Sequence, residues 1–295
     1  MNIICGNEFI FKIIYFFLIS LIGLFLSVYS GSRSVIILSL VTPFLYLFIS
    51  VKKEIGRFRI LRKPFSNEWR DIIKKYSRFY NCLSDEGREH FEGDVAIFLK
   101  EHSVTGVRGE KVGITTKILI ALGVATILHG RPDWEPPFLD GVVVYPGETF
   151  DPEYNLHKGD IAGMAGKRRP LLVTEEILKK SFYNSMDGYN SLLHEIAHYF
   201  DFENPFVDGV PLIGTNIGKT EEWIAVMEKE RERVKKGKSF LRQYAGSNEA
   251  EFFAVATEYF FERPDIMVKE NRKLYEIISK FYNLDTNSIL SVQPE

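Results

Sequence analysis

Two apolar runs near the N-terminus, residues 13–32 and 34–51, carry no charged side chain and are separated by Arg33 alone. Each is close to the roughly 20 residues needed to cross a bilayer core. Phe, Ile and Leu dominate both. A buried core hairpin would need a large domain to cover it on every side. A cleavable leader fits poorly, because the apolar region is long and a second run follows at once. The pattern therefore predicts a two-helix membrane hairpin, with helices over about residues 9–29 and 35–51 and a tight turn over residues 30–34. Pro43 falls inside the second run, which membrane helices tolerate better than soluble ones.

Orientation follows from the flanks. Lys52, Lys53, Arg57, Arg59, Arg62 and Lys63 come next, against one acid, Glu54. Such a basic excess marks the cytoplasmic side of a membrane. Both ends of the hairpin are expected there, with residues 54–64 as a basic juxtamembrane linker and 65–295 as one cytoplasmic domain. Charge is otherwise balanced. Lys plus Arg total 37, Asp plus Glu total 39, and the formal net charge is -2. That balance implies no nucleic-acid partner, and the charged run 228–238 reads as a solvated helix face. Cys5 and Cys82 lie too far apart for a disulfide framework, which fits a reducing compartment.

Beyond the linker the periodicity is mostly helical. Ser66, Asn67 and Glu68 open a helix carrying Trp69, Ile72, Ile73 and Tyr76. Phe91, Val95, Phe98 and Leu99 fall at helical spacing, and residues 117–129 form an apolar helix. Residues 142–145 and 170–173 are the strand candidates. Residues 220–235 and 248–262 are strongly helical, and Pro264 stops the second. An α+β, mostly helical domain is expected.

The chemistry is concentrated in residues 191–201. His194 and His198 stand four apart, about 40° around a helix, so both imidazoles can reach one metal ion. Glu195 follows His194 by one position. That turns its carboxylate beside the metal rather than onto it, where it can take a proton from a water. Leu192, Leu193, Ile196, Ala197 and Phe200 make the rest of the segment apolar. Buried His and Glu without partners cost several kcal/mol, which a metal, or a satisfied hydrogen-bond network, offsets. His90, His102, His129 and His157 have no ligand-like spacing and read as surface or core residues.

A third protein ligand must come from elsewhere. Asp201 lies on the face of His194 but roughly 10 Å further along the axis. It suits a supporting role, bonding an imidazole or fixing the following loop. Glu251 and Glu258 stand two turns apart on one face of an otherwise apolar helix, and spacing alone does not separate them.

At this point the chain resembles the Mlc titration factor A family of zinc-dependent peptidases, whose catalytic region looks like that of anthrax lethal factor. The resemblance covers about residues 64–285. It rests on Pro64 and Phe65, Trp69, the Val144-Tyr145-Pro146 strand, residues 194–201, and residues 208–211 (Asp, Gly, Val, Pro). It continues through Trp223, residues 244–261, and Phe281 with Tyr282. It implies a zincin-like peptidase domain with one Zn2+ per chain held by His194, His198 and Glu251. It further implies Glu195 as general base and Tyr244 as the phenol that stabilises the oxyanion. Asp201 and Glu258 are then the expected supporting residues. The N-terminal hairpin departs from the soluble pattern of the family's best-known member, which binds the repressor Mlc.

The expectation is thus a metallopeptidase in the bacterial inner membrane, multi-pass, acting on a peptide or protein substrate at the cytoplasmic face. The rival expectation is a membrane-tethered protein that sequesters a cytoplasmic transcriptional regulator, its zinc site structural or vestigial.

Overall fold

The computed structural model describes residues 6–136, 139–147, 169–201, 209 and 220–292. The chain forms two compact units, Met1–Pro64 and Phe65–Glu295.

The first unit contains α1 (Gly6–Ser30), α2 (Arg33–Ser50) and α3 (Lys52–Leu61). α1 and α2 pack along their length through small side chains. Ser27 Oγ lies 2.6 Å from Ser39 Oγ, and Gly23 lies against Ser39. Tyr15–Tyr46 and Phe16–Phe44 ring pairs extend the contact. Close approach through small residues is how helices associate where no hydrophobic driving force exists between them. The outward sides, including Phe17, Leu21, Phe25, Ile37 and Phe48, are exposed. Both helices are long and apolar enough to cross a membrane.

Two boundaries differ from expectation. The turn is Gly31 and Ser32 rather than residues 30–34, because Gly31 adopts φ +60° and its N–H closes on Ser27 O at 3.1 Å. Arg33 can then open α2 directly. The basic stretch expected as a linker is helical over most of its length, as α3. Glu54 in α3 pairs with Lys12 near the start of α1.

The second unit is mostly helical with a small parallel sheet. It runs α4 (Asn67–Tyr76), α5 (Arg78–Asn81), α6 (Asp85–Glu101), β1 (Ser103–Gly106), α7 (Ile114–Leu128), β2 (Leu139–Tyr145) and β3 (Arg169–Thr174). Then follow α8 (Glu175–Tyr183), α9 (Ser191–Asp201), α10 (Thr220–Lys235), α11 (Glu249–Glu262), α12 (Pro264–Tyr282) and α13 (Thr286–Ser291). Side-chain caps set several starts. Ser84, Thr174 and Asn248 accept the N–H groups of Gly87, Ile177 and Glu251. Pro264 stops α11 and also opens α12, where its missing N–H costs nothing.

The strand order is β1-β2-β3, all parallel, with Val104 opposite Val142 and Val144 opposite Val173. β1 was not foreseen. Its four residues leave α6 after His102 with no turn residue between, too short to show alternation. α7 returns from β1 toward β2, and parallel strands need such a crossover. It is buried on nearly every side and packs against α4, α6, α8 and α9.

Among the other histidines, His129 is packed against Phe79 and Phe91, and burial pulls its imidazole down to about 4. His102 stacks on Phe98. Both rings are half-buried against the core. Cys82 is a buried free thiol. Cys5 and His157 lie outside the described residues, as does most of 208–211.

The corner after α7 is joined to the end of α12 by backbone contacts. The Arg131 guanidinium donates to Lys280 O at 2.7 Å and to Phe281 O at 3.0 Å. Asn283 Nδ2 donates to Gly130 O at 3.0 Å. A Cβ on Gly130 would meet Tyr282 O at 2.3 Å and Asn283 O at 2.6 Å, and backbone cannot swing aside as a side chain can. Gly130→Ala should therefore destabilise the fold by about 1–3 kcal/mol. Thermal unfolding of the full chain in detergent, followed by circular dichroism, measures it. An unchanged midpoint would show that this corner yields freely.

Candidate metal centre

The centre forms where α9 packs against α11. α9 is apolar on the faces that meet its neighbours, so His194 and His198 are carried inside, 7 % and 3 % exposed. α11 brings Glu251 and Glu258, 4 % and 0 % exposed. His194 Nε2 lies 3.2 Å from His198 Nε2 and 2.9 Å from Glu251 Oε2, and His198 Nε2 lies 3.7 Å from that same oxygen. Among the described residues, His194, His198 and Glu251 are the group that could hold a metal ion.

The donor set fits such an ion. Around a tetrahedral centre with ligands about 2.05 Å away, donor atoms sit roughly 3.3 Å apart, and these three edges bracket that value. Two imidazole nitrogens facing one another at 3.2 Å have little use for each other as hydrogen-bond partners. Glu251 Oε2 is buried and accepts no well-directed hydrogen bond, although it lies 2.9 Å from an imidazole nitrogen. The short distance with poor direction is what results when lone pairs aim at a shared point between the atoms.

The electrostatics agree. Burial would raise the Glu251 carboxyl, but the facing His194 and His198 rings hold it well below the usual carboxylate range. Burial would lower the His194 imidazole, but Glu251 and Glu258 outweigh it and push it up to about 9. Both shifts describe negative charge gathered around imidazoles, the environment a cation requires.

His194 lies between the two acids. Its Nε2 faces Glu251, while its Nδ1 lies 2.7 Å from Glu258 Oε1. The ring thus spans the gap between two carboxylates stacked along one helix face. Glu251 lies with the converging donors and Glu258 behind the ring. Asp201 is fully buried, and its Oδ2 accepts the Gly209 N–H at 3.0 Å. Trp223 Nε1 donates to Gly209 O at 2.8 Å. Asp201 therefore ties down the chain beyond α9.

Glu195 is half-buried on the side of α9 turned toward β3. Desolvation raises its carboxyl above the ordinary value, against the pull of His198 and His194. It lines a mostly apolar cavity of about 150 Å³, together with Leu172, Thr174, Ile177, Leu178 and Leu192. Tyr244 lies on the short turn Gln243–Gly246, with its ring 5.8 Å from the His194 ring and about half its surface exposed. Burial of the phenol, together with the Glu251 charge, pushes it up to about 12, so it is an O–H donor at neutral pH.

Three contributors were not anticipated. Asn190, just before α9, donates its N–H to Glu258 Oε2 at 2.6 Å and its Nδ2 to Glu262 Oε1 at 3.1 Å. Glu262 also accepts the N–H groups of Gly188 and Tyr189, and burial pushes its carboxyl up to about 8. Arg242 holds Glu258 through both oxygens. Only Glu262 carried a sequence signal, continuing the face of Glu251 and Glu258 along α11.

Comparison with known proteins gives a family. A family model described as glucose-regulated metallo-peptidase M90 matches residues 51–283. An uncharacterized protein of Synechocystis sp. is 23% identical over 244 residues, covering 77% of this chain and 87% of that one. Mlc titration factor A of Pectobacterium atrosepticum is 30% identical over 164 residues, covering 50% of this chain and 61% of that one. Mlc titration factor A of Escherichia coli is 26% identical over 219 residues, covering 69% and 82%. The matched span contains every residue of the centre described above, and the chain belongs to the glucose-regulated metallo-peptidase family M90.

Proposed function

We propose that this protein is a membrane-anchored, zinc-dependent peptidase of zincin-like architecture, working at the cytoplasmic face. The observation that carries the reading is the convergence of His194, His198 and Glu251 beside Glu195, which lines a cavity without joining the donor triangle. His194, His198 and Glu251 would hold Zn2+. When bound, the ion supplies Lewis acidity, polarising a carbonyl and lowering the pKa of a water to about 7. Glu195 takes the proton from the attacking water and returns it to the leaving amine. The Tyr244 O–H donates to the oxygen that gains charge during attack. Glu258 holds the Nδ1–H of His194, so that Nε2 presents its lone pair.

The substrate chain is best placed along β3. That strand ends the sheet among the described residues, and an extended peptide can pair with such an edge. The adjoining cavity beside Glu195 then receives a side chain.

A second reading is favoured by the name of two relatives, Mlc titration factor A. In that reading this chain sequesters a cytoplasmic transcriptional regulator at the membrane, and its metal site is structural. Glu195 separates the two, because a structural site needs no base.

In the full chain, Glu195→Gln should keep near-stoichiometric Zn2+ and lose most peptide hydrolysis, measured as metal content and turnover on a peptide library. Undiminished turnover would remove Glu195 from the mechanism, and loss of metal would recast it as a ligand.

Glu251→Ala should weaken Zn2+ binding far more than Asp201→Ala. Glu258→Ala should fall between, losing about 10–100-fold as supporting residues do. Competition with a graded chelator series ranks them. A parent-like Glu251→Ala together with a metal-free Glu258→Ala would move the ligand assignment along α11.

The hairpin generates a third expectation. Exposed apolar surface on α1 and α2 far exceeds what a soluble monomer shows. The full chain should remain with membranes through a high-salt wash, and release by salt alone would rule out a spanning anchor.

A further inference from the structure

Arg242 stands at the start of the turn that carries Tyr244, remote in sequence from α9 and just before α11. Its guanidinium meets Glu258 as a two-pronged fork. One nitrogen donates to Oε2 at 2.8 Å, and the other pairs with Oε1. The first also donates to Gly188 O at 3.1 Å, and the guanidinium lies 4.6 Å from the centroid of the Tyr189 ring. Arg242 is therefore fixed from three sides: by α11, by the loop before α9, and by an aromatic face.

Glu258 is fully buried. Its described partners are the Asn190 N–H at 2.6 Å, His194 Nδ1 at 2.7 Å and the Arg242 fork. Arg242 supplies the one full positive charge in that set that does not depend on the protonation of an imidazole. A planar fork also fixes the plane of the carboxylate it grips, which a point charge does not. The second guanidinium nitrogen lies 3.5 Å from His194 Nδ1. Both are donors, and both converge on Oε1. The carboxylate thus sits between two donors and cannot turn away from the imidazole without abandoning the arginine.

We propose that Arg242 is a positioning residue that sets metal affinity through Glu258, an inference that rests on the metal-site reading above. With Arg242 in place, Glu258 is compensated and immobile, and it holds the proton of His194 on Nδ1. The Nε2 lone pair then points at Glu251 and His198 before any ion arrives. Without Arg242, Glu258 is a buried carboxylate with one backbone donor, and it can rotate and release the ring.

The experiment is a double-mutant cycle on the full chain in detergent, reading the Zn2+ dissociation constant by competition with a chromophoric chelator. Thermal unfolding is recorded alongside. Arg242→Met should weaken Zn2+ by about 10–100-fold, the range found when a partner behind a metal ligand is lost. Arg242→Lys keeps the charge without the fork and should fall between Arg242→Met and the parent. Glu258→Gln should weaken Zn2+ comparably, and Arg242→Met combined with Glu258→Gln should be no weaker than Glu258→Gln alone. Parent-like Zn2+ affinity in Arg242→Met would overturn the proposal, even with a lowered unfolding midpoint, because Arg242 would then only brace the fold. Losses that multiply in the double variant would overturn it too, since Arg242 would then act other than through Glu258. Should Arg242→Met not fold, Arg242→Lys with Glu258→Gln closes the same cycle under the same criteria. A parent that binds no Zn2+ would instead sink the metal reading itself, a result distinct from either.

Discussion

Three carboxylates on one face of an apolar helix set the terms for the second unit of this protein. Glu251, Glu258 and Glu262 fall seven and four residues apart along α11, within about 40° of one another around the helix, and all three are 4 % exposed or less. A buried carboxylate without a partner is strongly destabilising, so whatever packs on that face must answer each one. The answers come in order along the helix. His194 and His198 meet Glu251. His194, Asn190 and Arg242 meet Glu258. The N–H groups of residues 188 and 189, with the Asn190 side chain, meet Glu262. The position and rotation of α9 against α11 follow from this, because a slide by one turn would leave at least two acids unmet.

The same arrangement explains why the centre is built on helices rather than loops. Ligand atoms must sit within a few tenths of an ångström of a common geometry, and side chains on packed helices are held that closely while loop residues are not. α7 contributes from behind. It presses on the Leu192 and Ile196 side of α9 and leaves that helix no freedom to roll. Glu195 meanwhile faces β3 and the cavity. One helix therefore presents its two histidines to α11 and its glutamate to the cavity beside β3. Adjacent positions on a helix are 100° apart, and that angle produces the division of labour.

What could be read from the sequence follows the range of the interactions involved. His194, Glu195 and His198 are separated by single helical steps, and their relative directions follow from helix geometry alone. The nomination of Glu251 and Glu258 needed only the periodicity of one helix. Their different places around His194 depend on something periodicity lacks, namely that an imidazole has two nitrogens and can bridge both acids at once. Arg242 was illegible for a different reason. It acts from a turn with no repeating pattern, and its partners lie at positions 188, 189 and 258. β1 was missed because four residues directly after a helix are too few to alternate. The turn at Gly31 came out shorter than read because one positive φ suffices to reverse the chain.

Composition alone also left one question that only burial answers. α1, α2 and α7 are all apolar round their whole circumference, a pattern shared by membrane spans and by the central helices of large domains. α7 lies at the middle of the second unit with nearly every side chain covered. α1 and α2 meet each other through a strip of small residues and leave their large side chains exposed. In water such exposed apolar surface is costly. In a lipid bilayer no such cost arises, and small residues such as Gly23, Ser27 and Ser39 let paired helices approach closely. Length separates the helices in the same sense: α7 has 15 residues, and α1 and α2 have 25 and 18. Three helices of one hydrophobic character thus differ in what covers them: protein surrounds α7, while α1 and α2 leave most of their large side chains exposed.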